Sequence, residues 1–217
     1  RGTLDKYIGD AIVAFWGAPL PVDDHPRRTC ESAIAMQLEI ARLRAEQRDL
    51  PGVESLRVGI GIHSGEVVVG NLGSERRFDY TVTGDGVNLC SRLEGLTKFY
   101  GVSILASADL IARLPAGFLT REIDTIRVKG KRSTVHIAEV VGQRSAEGDE
   151  LTRFDAYAAG LAAYRDGKWD EAESALRAAL AASANADGPS LALLERIATL
   201  RVDERDDWDG VWSFENK

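Results

Sequence analysis

"FDYTVTGDGVNLCSRLEGLTKFYG", residues 78–101, contains the main change of direction in the chain. It begins with a strand pattern, breaks at Gly84, and continues with Leu89, Leu93, Leu96 and Tyr100 at helical spacing. Asp85 is the expected N-cap of that helix and Gly101 its stop. Asn88 and Arg92, spaced i,i+4, share one helix face and border the apolar stripe. An amide and a guanidinium on one rim can hold a ribose and a phosphoryl group. The plain structural alternative is an Asn near the first turn and a surface Arg.

Upstream, "LDKYIGDAIVAFWG" (4–17) predicts strands over 3–8 and 11–16 joined by a Gly-first turn at Gly9-Asp10. Asp10 stands at the tip and Lys6 four residues before it. A tip carboxylate after glycine has no crowding side chain before it, which suits a Mg²⁺ ligand that must leave room for phosphate oxygens. Turn aspartates also serve as caps or stay solvated. Residues 26–49 read as a helix with Ala33, Met36, Ile40 and Leu43 on its apolar face. Residues 56–73 read as two strands broken near Ser64-Gly65. "GNLGSERR" (70–77) lacks the Gly-Lys-Ser/Thr of a nucleotide loop and reads as a hairpin connection.

Downstream, a short strand (103–105) and a short helix (107–113) precede strands over 121–128 and 134–141. Between the last two lies "VKGK" (128–131), where Lys129 and Lys131 flank a glycine, a phosphate contact or a solvated turn. Strands alternating with helices and hairpins predict an α+β fold, one mixed sheet with helices on one face. No Ser-His-Asp or Cys-His pattern is present, and His63, on an apolar strand, reads as structural.

"GQRSAEGDE" (142–150) is a polar linker, and beyond it the chain turns Ala/Leu-rich. Residues 154–183 read as a helix–turn–helix broken at Asp166-Gly167, similar to one tetratricopeptide unit, with a further helix over 189–201. A single such unit cannot bury its own apolar face, so it is expected to pack on the sheet or on a partner. Unpaired apolar helix faces would mark a partner-binding module, and a docked tail would count against one. The two tryptophans of "DDWDGVWSFENK" are expected to anchor the tail.

Composition narrows the function classes. The 217 residues are 28% charged and 44% hydrophobic with a net charge of −7, ordinary globular values. The acidic balance argues against a nucleic-acid surface. Cys30 and Cys90 fit no metal spacing and suit a reduced, cytoplasmic setting for this segment. The start at Arg1, running straight into a strand, predicts a piece of a longer protein, whose upstream part could hold a sensor or a membrane anchor.

Taken together, "DKYIGDAIVAFWGAP", "VGIGIHSGEVVVGNLGSERRFDYTVTGDGVNLCSRLE" and "VKGK" resemble consecutive stretches of the class III nucleotidyl cyclase catalytic domain. The resemblance covers residues 1–141 and implies a ferredoxin-like sheet lacking its first strand and helices, then the 142–150 linker and a 151–217 helical extension. It implies that Asp10 is a metal ligand, that Lys6 and Thr81 select the purine, that Asn88 and Arg92 act on the transition state, and that Lys129 holds the triphosphate. Many members carry Asp where Thr81 stands, and a bacterial subset carries Thr. Lys6 can only donate and the Thr81 hydroxyl can accept, the match to adenine N1 and its exocyclic amine. Thr can also donate, which loosens the discrimination.

The implied activity is ATP to 3′,5′-cyclic AMP and pyrophosphate with two Mg²⁺ or Mn²⁺ ions per site. The family forms its sites between antiparallel subunits, so a homodimer is expected, with Asp10 of one copy facing Lys6, Thr81, Asn88, Arg92 and Lys129 of the other. The family's first metal aspartate has no match in this chain, so the chain alone is expected to be nearly inactive. A non-catalytic nucleotide-sensing or dimerisation module, and a partner-binding module through 151–217, are the alternatives.

Overall fold

The computed structural model describes residues 2–74, 77–128, 134–143, 154–184, 186–202 and 208–214. Strands β1 (Thr3–Ile8) and β2 (Ala11–Phe15) form an antiparallel hairpin, followed by α1 (His25–Glu46). Next come β3 (Ile60–Ile62), β4 (Val68–Ser74), β5 (Arg77–Thr83), α2 (Asp85–Tyr100), β6 (Ile104–Ser107), α3 (Ala108–Ile111), β7 (Phe118–Val128) and β8 (Thr134–Gln143). The chain closes with α4 (Asp155–Arg165), α5 (Trp169–Ala182), α6 (Gly188–Val202) and β9 (Trp212–Phe214).

The expected mixed α+β sheet is present, with strand order β3-β6-β8-β7-β9. β3 and β6 are parallel, β8 is antiparallel to β6 and β7, and β9 is parallel to β7. Two hairpins, β1–β2 and β4–β5, stand apart as separate two-stranded sheets. We call them the first and second arm.

Helices cover both faces of the main sheet, a departure from the one-faced arrangement expected. β6 shows this by its alternation. Ile104 and Ala106 join Cys30 and Ala33 of α1 in one core, while Leu105 joins Leu89 and Leu93 of α2 in another. Helix α2 reaches its sheet closely because β3 has no side chain at Gly61. A Cβ there would lie 2.2 Å from the Cys90 carbonyl oxygen. α1 is less well buried. Its apolar line runs through Cys30 and Ala33, and Met36 is exposed, against expectation. Asp85 is the first residue of α2 and not its N-cap, which is Gly84 at φ 137°. In the first turn the Asp85 carboxylate still faces the positive end of the helix dipole.

The C-terminal helices dock on the sheet. Tyr157, Leu161 and Tyr164 of α4, Leu176 of α5 and Leu193 and Ile197 of α6 share one core, and Ala192 of α6 enters the α2 core. The Tyr157 hydroxyl donates to the Ile123 carbonyl of β7 at 2.6 Å. At the centre of the junction, Arg196 of α6 pairs with Asp124 of β7, both side chains no more than 2% exposed. Tyr100 of α2 donates to Asp124 at 2.6 Å and accepts from Arg196 at 2.7 Å. The guanidinium also lies against the rings of Phe99, Trp212 and Phe214, 4.8–5.2 Å from their centroids. A charge buried this way survives because it is paired and surrounded by ring faces. Trp208 anchors the tail by donating to the Tyr164 carbonyl at 3.0 Å, as its packing role predicts. The β9 strand was not foreseen. No helix among the described residues is long and apolar enough to cross a membrane.

Candidate active site

The first arm turns at Gly9-Asp10, with Ile8 opposite Ala11. Gly9 adopts φ 64°, the left-handed value that the first position of this turn requires and that glycine adopts without strain. Asp10 is exposed at the tip, and Lys6 is exposed on β1. The second arm pairs Gly70 with Thr81 and Asn71 with Tyr80. Its strand β5 runs through Gly84 directly into α2, so Thr81 precedes the elbow and Asn88 and Arg92 follow it. Asn88 is exposed and Arg92 half-buried, i,i+4 on one helix face as expected.

The arms touch where β1 meets β5, and Phe15 of β2 lies against Tyr80 of β5 with ring centroids 6.2 Å apart. Beside this contact is a carboxylate that sequence reasoning missed. Thr81 is buried, and its hydroxyl donates to Asp5 Oδ2 at 2.9 Å. The Lys6 ammonium lies 3.6 Å from the same oxygen. The two expected purine-selecting residues, 75 positions apart, therefore meet at one carboxylate. The available signal was an Asp inside a strand, where Asp is disfavoured.

Lys129 and Lys131 lie outside the described residues. Among the described residues no group of three or more His, Cys, Asp or Glu side chains could hold a metal. Asp10 alone supplies a hard oxygen donor at an open tip, which fits one ligand position of Mg²⁺ or Mn²⁺. Burial pushes the Cys30 thiol up to about 12 and also raises Cys90, so neither is a thiolate nucleophile. His63 bonds Ser107 Oγ at 2.8 Å, in keeping with a structural role.

The chain belongs to the adenylate and guanylate cyclase catalytic domain family, which residues 6–140 match. It is 38% identical over 141 residues to "Adenylate cyclase 1" of Rhizobium meliloti (strain 1021), a match covering 65% of this chain. The chain spans 21% of the length of that relative. Among solved structures, the adenylyl cyclase CyaB from P. aeruginosa is 31% identical with a TM-score of 0.57, over 66% of this chain and 73% of that one. The guanylyl cyclase Cya2 is 32% identical with a TM-score of 0.55, over 68% and 73%. Both purines are represented among such neighbours, so membership leaves the nucleotide open. The residues themselves must select it.

Proposed function

We propose that this chain carries the greater part of an adenylate cyclase site, converting ATP to 3′,5′-cyclic AMP and pyrophosphate for signalling. The observation that carries the reading is the meeting of Lys6 and Thr81 at one carboxylate. A donor beside a hydroxyl able to accept matches adenine, whose N1 accepts and whose exocyclic amine donates. Guanine presents the opposite pattern.

In the reaction the ribose 3′-oxygen attacks the α-phosphorus and pyrophosphate leaves. Arg92 stabilises the charge gathering on the α-phosphoryl group. Asn88, one turn earlier on the same face, orients the ribose, and Lys129 takes the triphosphate. Asp10 is the residue that would hold a divalent ion. When bound, two Mg²⁺ or Mn²⁺ ions lower the pKa of the 3′-hydroxyl and neutralise the triphosphate. With one such carboxylate on the described arms, the isolated chain should turn over little ATP.

The sites form between two copies, a reading supported by the exposure of Leu4, Tyr7, Ile8, Ile12, Val68 and Phe78 on the arms. Large apolar side chains left exposed together are a mark of an interface. The docked C-terminal helices count against 151–217 as a free partner-binding module, since their apolar faces are buried within the chain. They are better read as a tetratricopeptide-like brace for the catalytic domain.

The test is cyclic nucleotide formation from ATP and GTP, with Mn²⁺ and with Mg²⁺, by the full-length protein. Metal-dependent cyclic AMP formation that disappears in Asp10→Ala and in Arg92→Ala is expected. Preference for GTP would overturn the nucleotide assignment, and silence with every substrate and metal would favour a nucleotide-sensing module.

A further inference from the structure

We propose that Asp5 is a positioning residue that sets nucleotide specificity: its buried carboxylate accepts the hydrogen bond of the Thr81 hydroxyl and so fixes that hydroxyl as an acceptor toward the purine. The inference rests on the adenylate cyclase reading above and deepens it.

Three observations converge on Asp5. The β1–β2 register shifts between Leu4, opposite Ala14, and Lys6, opposite Val13, which makes Asp5 the additional residue of a β-bulge. Bulges re-aim side chains, and they gather beside active sites. The Asp5 side chain is 2% exposed, while Leu4, Lys6 and Tyr7 around it are exposed. Its Oδ2 meets both the Thr81 hydroxyl at 2.9 Å and the Lys6 ammonium at 3.6 Å. The bulge thus points a carboxylate out of the first arm at the residue of the second arm that faces the purine.

The consequence follows from donor and acceptor inventory. A threonine hydroxyl has one proton and two lone pairs, whereas an ionised carboxylate only accepts. Bonded to Asp5, Thr81 has spent its single proton. Its remaining capacity is acceptance, which suits the adenine amine and opposes the guanine carbonyl. Released from Asp5, the hydroxyl could rotate and donate to that carbonyl. The looseness of Thr, compared with an acceptor-only Asp at the same position, is removed by a neighbour. Asp5 also lies beside Lys6 and holds the donor next to the acceptor.

The experiment measures kcat/KM for ATP and GTP in the full-length protein and in Asp5→Asn, Thr81→Val and the double variant. Asparagine keeps the shape of Asp5 but offers donors, so it no longer enforces the direction of the bond. Asp5→Asn should lower the ATP-over-GTP ratio by about 10-fold, since discrimination here depends on paired polar edges. In the Thr81→Val background the same change should move the ratio by less than about twofold, because the two residues act as one unit. Asp5→Glu, which keeps an acceptor, should recover most of the ratio. Asp5→Ser provides a second replacement should Asn fail to fold.

Equal losses for both nucleotides, or an undiminished effect of Asp5→Asn in the Thr81→Val background, would overturn the proposal and leave the cyclase reading standing. If the full-length protein shows no turnover, competition of ATP and GTP against a fluorescent ATP analogue reads the same ratio. An unchanged binding ratio then overturns the role of Asp5, and absence of any nucleotide binding overturns the cyclase reading with it.

Discussion

The five-stranded sheet with its C-terminal helices and the two arms solve opposite problems with the same chain. In the first region the sheet and helices share continuous cores, and even a guanidinium, Arg196, is shut between α2, β7, α6 and β9. In the second, Tyr7 remains 66% exposed and Phe78 62% exposed on hairpins that belong to no larger sheet. The candidate chemistry lies almost wholly on the open side, at the tip of one arm, between the arms, and along the rim of α2. The closed region therefore reads as the platform, and the open region as half of a site.

That division can be broken by substitution. Arg196→Ala should destabilise the fold by about 3–5 kcal/mol, because it strands the buried Asp124 charge. Urea unfolding at neutral pH checks this, and a loss below 1 kcal/mol, the scale of an exposed pair, would show that the junction is not a closed core. Arg92→Ala should do the reverse, lowering kcat by about 10²–10³-fold in the full-length protein while the urea midpoint stays near the wild type. A large stability loss there would place Arg92 in the platform. Tyr7→Lys, on the first arm, should weaken self-association by about 10-fold or more in analytical ultracentrifugation without altering unfolding of the subunit. Unchanged association would remove the arms from the interface.

The smallest effect is a pH dependence. Burial, with the Asp124 carboxylate adding to it, holds the Tyr100 hydroxyl well above its ordinary 10.0. A folded-state pKa raised above the unfolded one favours the fold while the proton is on. Stability should be complete below pH 10.0 and decline as pH rises past it. Urea midpoints taken from about pH 9 to about pH 11 test this, and a flat profile would contradict the burial of the junction.

Much of this was legible in the sequence where one residue type has one common use. Alternation and helical spacing place β1, β2, β5 and α2 within a residue or two, and Gly9 announces its turn. Other features were hidden for physical reasons. A bulge adds one residue, and "TLDKYI" looks like an unbroken strand with or without it, so Asp5 passed unseen. Arg196 on an amphipathic helix reads as solvent-facing, since only tertiary packing supplies the Asp124 and ring partners that keep it buried. β9 is three residues long and pairs with β7 from far along the chain, so no local pattern could mark it. Met36 fits helical spacing but faces outward, because spacing shows which residues share a face and not whether anything covers it.

On this reading each arm pair is half of a site completed by a second copy. Mixing full-length Asp10→Ala with full-length Arg92→Ala, each inactive alone, tests it most directly. If sites lie between subunits, half of the re-equilibrated dimers are mixed and each has one intact site, so about a quarter of wild-type cyclic AMP formation should return. If Asp10 and Arg92 of one chain serve the same site, no mixture can restore activity, and the open region is not half of a site shared between copies.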